Sequence, residues 1–249
     1  MLKNIMMSLA LVLMLTACGS DSSSSPEVAS IESPENTQDT TITYNGITYG
    51  SVISSATGRT WLDRNLGAEK VCNPEVTESA CWGDLYQWGR EADGHQETNS
   101  TFVDSLAADI VNVGNAFLGG NTEDWTTADE NGSERKINWN KTDGSVICPV
   151  GYRVPTVAEF ENEIDGLDLN NSNDILNSFL KLPITQYRKP EDGSKSYVSI
   201  GVYHTQDIYV DTTVNVTYDN HIITFNSTSI DTNGTADFHF GLPVRCIKD

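Results

Sequence analysis

Four cysteines, at positions 72, 81, 148 and 246, place the tightest limit on how this chain folds. Their meaning depends on the compartment, because thiols stay reduced in the cytosol and pair outside it. The first seventeen residues decide the compartment. Lys3 supplies a positive start, and Ile5 to Leu15 follow as an apolar run of eleven residues. That run is too short to span a bilayer, which takes about 20 residues of helix. It reads as an export signal that is removed and plays no part in the fold. An even number of cysteines in an exported domain then reads as two disulfides. Three pairings are open. The favoured one closes a local loop with Cys72–Cys81 and ties the middle of the chain to its far end with Cys148–Cys246. A zinc site is the alternative, and no CxxC or HxxxH spacing supports it.

Leu15-Thr16-Ala17-Cys18 places small residues before a cysteine, the pattern of a bacterial lipobox. Cleavage before Cys18 leaves a thiol that carries a diacylglyceryl group and a free amine open to a further acyl chain. Two or three chains anchor stably where one is marginal, at about 0.8 kcal/mol per buried CH₂. Gly19 follows the cysteine where Asp would retain the protein at the inner membrane, which resembles Gram-negative sorting to the outer membrane. The expected location is thus the cell envelope, lipid-anchored, facing the periplasm or the surface. Residues 18–40 are rich in Ser, Asp, Glu, Pro and Thr and too poor in apolar surface to offset their ordering entropy. They form a tether whose r.m.s. span is roughly 25 Å. The chain carries 15 basic and 35 acidic side chains, a net charge of −20. It lacks the basic footprint of a nucleic-acid binder, and its acidity disfavours direct docking on anionic lipid. The membrane is therefore expected as a partner only through the acyl chains on Cys18.

Residues 41–249 have a length that suits one domain. Thr41 to Tyr44 and Ile47 to Ile53 alternate around Asn45-Gly46, the strongest short hairpin signal, and a further strand is expected at Arg59 to Leu62. Residues 63–147 read as loop-rich, with one short helix around Ser105 to Asn112. Thr156 with Glu159 forms a capping box, and Val157, Phe160 and Ile164 then share one helix face. A second short helix is expected over Asp174 to Lys181. From Tyr197 onward the chain is rich in Val, Ile, Thr and Tyr, with alternation such as Val214 to Tyr218, the composition of a β-meander. Few helices among many short strands mean an α+β fold.

Five phrases occur in order. They are Gly58-Arg59-Thr60-Trp61-Leu62-Asp63-Arg64-Asn65-Leu66-Gly67-Ala68, and Cys81-Trp82-Gly83-Asp84-Leu85-Tyr86-Gln87-Trp88-Gly89-Arg90. Then come Cys148-Pro149-Val150-Gly151-Tyr152-Arg153-Val154-Pro155-Thr156 with Glu159-Phe160, Leu182 to Arg188, and Val244 to Lys248. Over roughly residues 45–249 this pattern resembles the Fibrobacter succinogenes major paralogous domain family of bacterial surface proteins and lipoproteins. Members usually carry Gly-Tyr-Arg where this chain has Gln186-Tyr187-Arg188, and Trp-Ser-Ser where it has Tyr203-His204-Thr205. The resemblance implies a single loop-rich domain similar to C-type lectin-like folds, with early and late strands paired and long loops on one side. By fold analogy it implies binding.

The candidate chemistry follows from side-chain types. Trp61, Trp82 and Trp88 lie inside the phrases and are expected as core anchors burying roughly 150–250 Å² each. Trp125 and Trp139 lie outside the phrases in polar sequence and are the expected surface aromatics, able to stack on sugar faces. Tyr203, His204 and Arg188 complete the candidate binding set. The other phrase arginines are expected in internal bridges to Asp63 and Asp84, since guanidinium forks pair with carboxylates. Asp165, Asp168, Asn170, Asn171, Asn173 and Asp174 form an oxygen-rich run, but positions six and twelve from Asp168 are Asn173 and Phe179, so the EF-hand pattern fails. Neither the Glu-Pro-Asn nor the Gln-Pro-Asp triplet of calcium-dependent lectins occurs. No cofactor is expected; calcium is weighed here as zinc was for the cysteines. His95, His204, His221 and His239 are scattered without a catalytic motif, so no enzyme is expected. An enzyme of formylglycine-generating type, which has a related architecture, would need a free reactive thiol. The leading expectation is a non-catalytic module that binds carbohydrate or a surface partner; a structural display protein of the envelope is the alternative.

Overall fold

The computed structural model describes residues 40–75 and 78–249. Cys18, the export signal and nearly all of the tether lie outside them. Asn45 and Gly46 take φ of 48° and 78°, the positive values that a two-residue hairpin turn requires. They join β1 (Ile42–Tyr44) to β2 (Ile47–Tyr49) in antiparallel register. Next come β3 (Ser51–Ile53) and β4 (Thr60–Leu62), then a long stretch holding only β5 (Tyr86–Gln87), β6 (Phe102–Asp104) and β7 (Phe117–Gly119).

The helix expected over Ser105 to Asn112 does not form. Asp109 Oδ1 accepts the N–H groups of Ile110 and Val111, a local bond that competes with helical pairing, and Ala107 pairs with the strand-like backbone at Trp125 and Thr126 instead. An unanticipated helix, α1 (Ser133–Trp139), forms further on. Its first-turn N–H groups at Glu134 and Arg135 are accepted by the carboxylate of Asp129, outside the usual cap position.

After β8 (Tyr152–Arg153), α2 (Val157–Gly166) begins at Thr156 with both halves of the capping box in place. Next, α3 (Ser172–Asn177) starts two residues earlier than expected because Asn171 accepts the N–H groups of Asn173 and Asp174. It also ends earlier, where Ser178 Oγ donates back to Ile175 and the backbone turns extended. The late strands are β9 (Gln186–Arg188), β10 (Lys195–Tyr197), β11 (Gly201–Asp211), β12 (Thr217–Phe225), β13 (Ile230–Ala236), β14 (Gly241–Leu242) and β15 (Ile247–Lys248). Val214 and Val216, expected within a strand, instead lie exposed in the turn between β11 and β12.

The strands form open sheets in the orders β3-β4-β15-β8, β10-β9-β14-β5 and β11-β12-β13, with β1-β2 and a parallel β6-β7 pair beside them. The fold is α+β, as the composition indicates. Late strand β15 sits between β4 and β8. Both disulfides of the favoured pairing are formed, Cys72–Cys81 and Cys148–Cys246. One core cluster gathers Trp88, Trp125 and Trp139 with Cys148, Cys246 and Phe238; the other gathers Trp61, Phe160, Tyr203 and Phe225 under α2 and α3. Among the described residues no helix is long and apolar enough to cross a membrane.

Candidate functional site

The tryptophans divide differently from the sequence-based expectation. Trp125 and Trp139, expected at the surface, are 0% and 1% exposed. The reason is that the backbone of residues 88–90 supplies an acceptor for each indole inside the core. The Trp125 indole N–H donates to the Trp88 carbonyl at 2.8 Å and the Trp139 N–H to the Arg90 carbonyl at 3.0 Å. Trp88 donates to the Thr205 carbonyl and Trp61 to the Glu163 carboxylate, each at 2.9 Å. A buried indole needs such a partner, and four of the five have one. The fifth, Trp82, was expected in the core. It is partly exposed, and its Nε1 has no hydrogen-bond partner among the described residues.

The remaining sequence candidates are also interior. A register shift between His204 and Ile208 in the β11–β12 pair breaks strand alternation, so Tyr203, His204, Thr205 and Gln206 are all buried. Such a bulge turns consecutive side chains out of their alternating pattern. Tyr203 Oη donates to the Pro183 carbonyl, and the His204 ring lies between Asn220 Oδ1 and the Tyr86 carbonyl. Arg188 is buried over the Phe117 ring at 4.2 Å and donates to Ser100 and Gly193 backbone oxygens. These three are structural contacts, not a surface. Arg64 pairs with Asp63 as expected, whereas Asp84 pairs with no arginine.

What the structure brings to the surface is a pair of joined clefts. One, of about 480 Å³, is lined by Ser79, Trp82, Asp84, Thr98, Gln186 and Lys195 among others. The second, of about 650 Å³, runs past Tyr44, Tyr49, Tyr86 and Glu97. Gly67, Glu69 and Asp84 line both. The local chain geometry explains how Trp82 arrives there. Cys81 is locked to Cys72, a one-turn 3₁₀ helix over Ser79–Cys81 precedes Trp82, and Gly83 follows with φ of 84°. A side chain at Gly83 would meet the Leu66 carbonyl at 2.3 Å, so only glycine allows this approach. Tyr197 of β10, paired with the cleft-lining Gln186 of β9, stacks on Trp82 with centroids 5.8 Å apart and is 59% exposed.

Asp84 lies at the junction. Its backbone N–H is held by the Leu66 carbonyl, but its carboxylate accepts no hydrogen bond among the described residues. Burial, with the negative charge of Glu97 added, pushes the carboxyl up to about 7. The folded state therefore favours protonated Asp84. That preference stabilises the fold fully below the unfolded carboxylate range near 4 and is lost as pH rises through about 7. Asp84→Asn is accordingly expected to raise the melting temperature at pH 8, with the gain fading as pH falls towards 4. Thermal unfolding of both proteins across that range checks it, and a gain that grows towards low pH would contradict the assignment.

Other titratable groups differ in their partnerships: His221 Nε2 and His239 Nδ1 have no hydrogen-bond partner among the described residues, whereas His95 is engaged on both ring nitrogens. His95 holds Asp93 through Nδ1 at 2.7 Å and accepts the Gln87 N–H on Nε2, and burial pushes it down to about 4. The oxygen-rich run weighed for calcium is engaged in capping and turns: Asp174 accepts the Asn170 N–H, and Asn170 donates to the Asp168 carbonyl. Among the described residues no group of three or more His, Cys, Asp or Glu side chains is arranged to hold a metal ion. All four described cysteines are in disulfides, which leaves no thiol there for formylglycine-type chemistry. The sequence did not set Trp82 apart: Trp88 in the same phrase also precedes a glycine and is 0% exposed. Compared with family models, curated proteins and solved structures, the chain matches none.

Proposed function

We propose that this chain is an exported lipoprotein, held to the envelope by acyl chains on Cys18, that presents a non-catalytic, lectin-like binding domain whose Trp82 cleft takes carbohydrate. The observation that carries the reading is Trp82, which lines a polar cleft and is stacked by the exposed Tyr197. Aromatic faces pack against the C–H faces of sugar rings, while small polar groups such as Ser79, Thr98 and Gln186 suit ring hydroxyls; an apolar wall with a few directed polar groups is the usual makeup of a ligand site. The paired strands β4 and β15 and the loop-rich middle support the lectin-like expectation.

The test is a glycan and envelope-polysaccharide panel on the full chain with disulfides formed, run with calcium and with chelator. Saturable binding is expected, and Trp82→Ala or Tyr197→Ala is expected to weaken it on the order of tenfold, the loss of one good aromatic contact. The chelator arm reads calcium dependence directly. The four buried tryptophans favour a second reading, an envelope display protein without a small ligand. A blank panel, or binding indifferent to both substitutions, would move the assignment there.

A further inference from the structure

The charged groups around the joined clefts differ in how they are satisfied. Lys195 donates to the Thr98 carbonyl at 3.1 Å. Asp93 is held by Arg90 and His95. Glu69 and Glu97 are exposed to solvent. Asp84 alone among them is half-buried with a carboxylate that no described residue contacts by hydrogen bond, although it lines both clefts. Gly67 makes room for it: a side chain there would come within 2.3 Å of the carboxylate. Tyr49 and Tyr86 also lie within reach of its charge; the Tyr49 hydroxyl accepts the Gly67 N–H, and neither hydroxyl donates to the Asp84 carboxylate.

We propose that Asp84 receives the protonated amine of an amino sugar, whose ring packs against the Trp82–Tyr197 pair. The inference rests on the carbohydrate reading and names the class of sugar. A half-buried carboxylate without partners is costly, and an ammonium donor converts it into a charge-assisted hydrogen-bonded pair, among the stronger polar contacts available. A neutral sugar hydroxyl offers no charge to match. The net charge of −20 adds a field that concentrates cationic ligands near the protein. A lysine-rich peptide would satisfy Asp84 as well, but its flexible stem gives the aromatic pair no rigid face to pack against, and the glycan is favoured for that reason.

The experiment titrates the full chain, disulfides formed, with a glucosamine oligomer and with its fully N-acetylated counterpart of the same length, by calorimetry at pH 7. The free-amine oligomer is expected to bind at least about tenfold more tightly, a ratio one charge-assisted contact supplies. With its carboxyl at about 7, Asp84 is half protonated at pH 7, so its ionisation against an already cationic amine is expected to release about half a proton to the buffer. D84N, close in shape to the native side chain, is expected to abolish both the preference and the proton release while both oligomers still bind weakly through Trp82. Equal affinities for the two oligomers, or a preference that survives D84N, would overturn the proposal while leaving carbohydrate binding standing if W82A still weakens both. Tetralysine matching the oligomer with an affinity that W82A does not change would also overturn it, as general attraction of cations to an acidic protein. Absence of binding by either oligomer would remove the amino-sugar assignment, and a blank on the wider panel would remove the carbohydrate reading with it.

Discussion

Replacing Cys148 and Cys246 together by alanine is expected to destabilise the domain by about 5 kcal/mol, the largest loss from any single cross-link here. The two residues are 98 positions apart, and a bridge that closes so long a loop removes a great deal of freedom from the unfolded chain. Cys72 and Cys81 are only 9 apart, so their loss is expected to cost less, under about 3 kcal/mol on the same loop-entropy relation. Packing acts in the same direction. Cys148 and Cys246 are buried in the tryptophan cluster beside Val154 and Val244, so alanine also leaves a small void, whereas the Cys72–Cys81 bridge lies outside both core clusters. Equilibrium denaturation of the parent and the two double variants reads this directly as a shift in midpoint. An equal or smaller loss for the long bridge would show that packing geometry, not chain restriction, sets the stability of this domain.

Arg135→Met is expected to cost on the order of 3–5 kcal/mol at pH 7, the range found when one member of a buried ion pair is removed. The Arg135 side chain is fully buried. Its two terminal nitrogens each donate to one Asp124 carboxylate oxygen at 2.7 Å, and Nε reaches Asp129 at 3.2 Å. The guanidinium carbon lies 5.5 Å from the Trp88 ring centroid, 5.3 Å from Trp125 and 4.7 Å from Phe238. Removing the charge leaves two carboxylates without their cation beside the largest aromatic cluster. Burial already pushes the Asp124 carboxyl upward in the native protein, against the pull of Arg135. Without that pull it rises further, and a raised carboxyl stabilises the folded state at low pH and loses that contribution as pH climbs. Part of the deficit is therefore expected to return when the variant is unfolded near pH 4. Arg135→Lys keeps the charge but not the planar fork, and its loss should be intermediate. A methionine variant within about 1 kcal/mol of the parent at pH 7 would place the weight of this region on the aromatic rings alone.

Much of the architecture was legible because local chemistry wrote it. Asn45-Gly46 specified a hairpin, Thr156 with Glu159 specified a helix start, and the spacing of the cysteines favoured the pairing that forms. What failed were inferences about side-chain exposure from the polarity of neighbouring sequence. Trp125 and Trp139 stand among acidic and polar residues, yet Asp124 and Asp129 accept from the buried Arg135 guanidinium while the indoles pack inward onto the Trp88 and Arg90 carbonyls. A bulge at His204 to Ile208 cannot be read from alternation, because a bulge is the loss of alternation. Helix α1 was missed because Asp129 caps it from beyond the normal position. Trp82 was assigned to the core with its neighbours in the same phrase, although Trp88, six residues on, is buried and Trp82 is not.

The position of β15 sets the order in which this molecule becomes a protein. Its partners β4 and β8 flank it, so the middle of that sheet is empty until the last strand arrives. Arg245, just before it, bonds the Leu62 carbonyl across 183 positions of chain. Contacts of that reach delay folding, because loop closure must precede any reward from pairing. On the export route proposed above, the delay would have a use: this sheet cannot close until its last strand has crossed, so the step that completes it falls on the far side of the membrane.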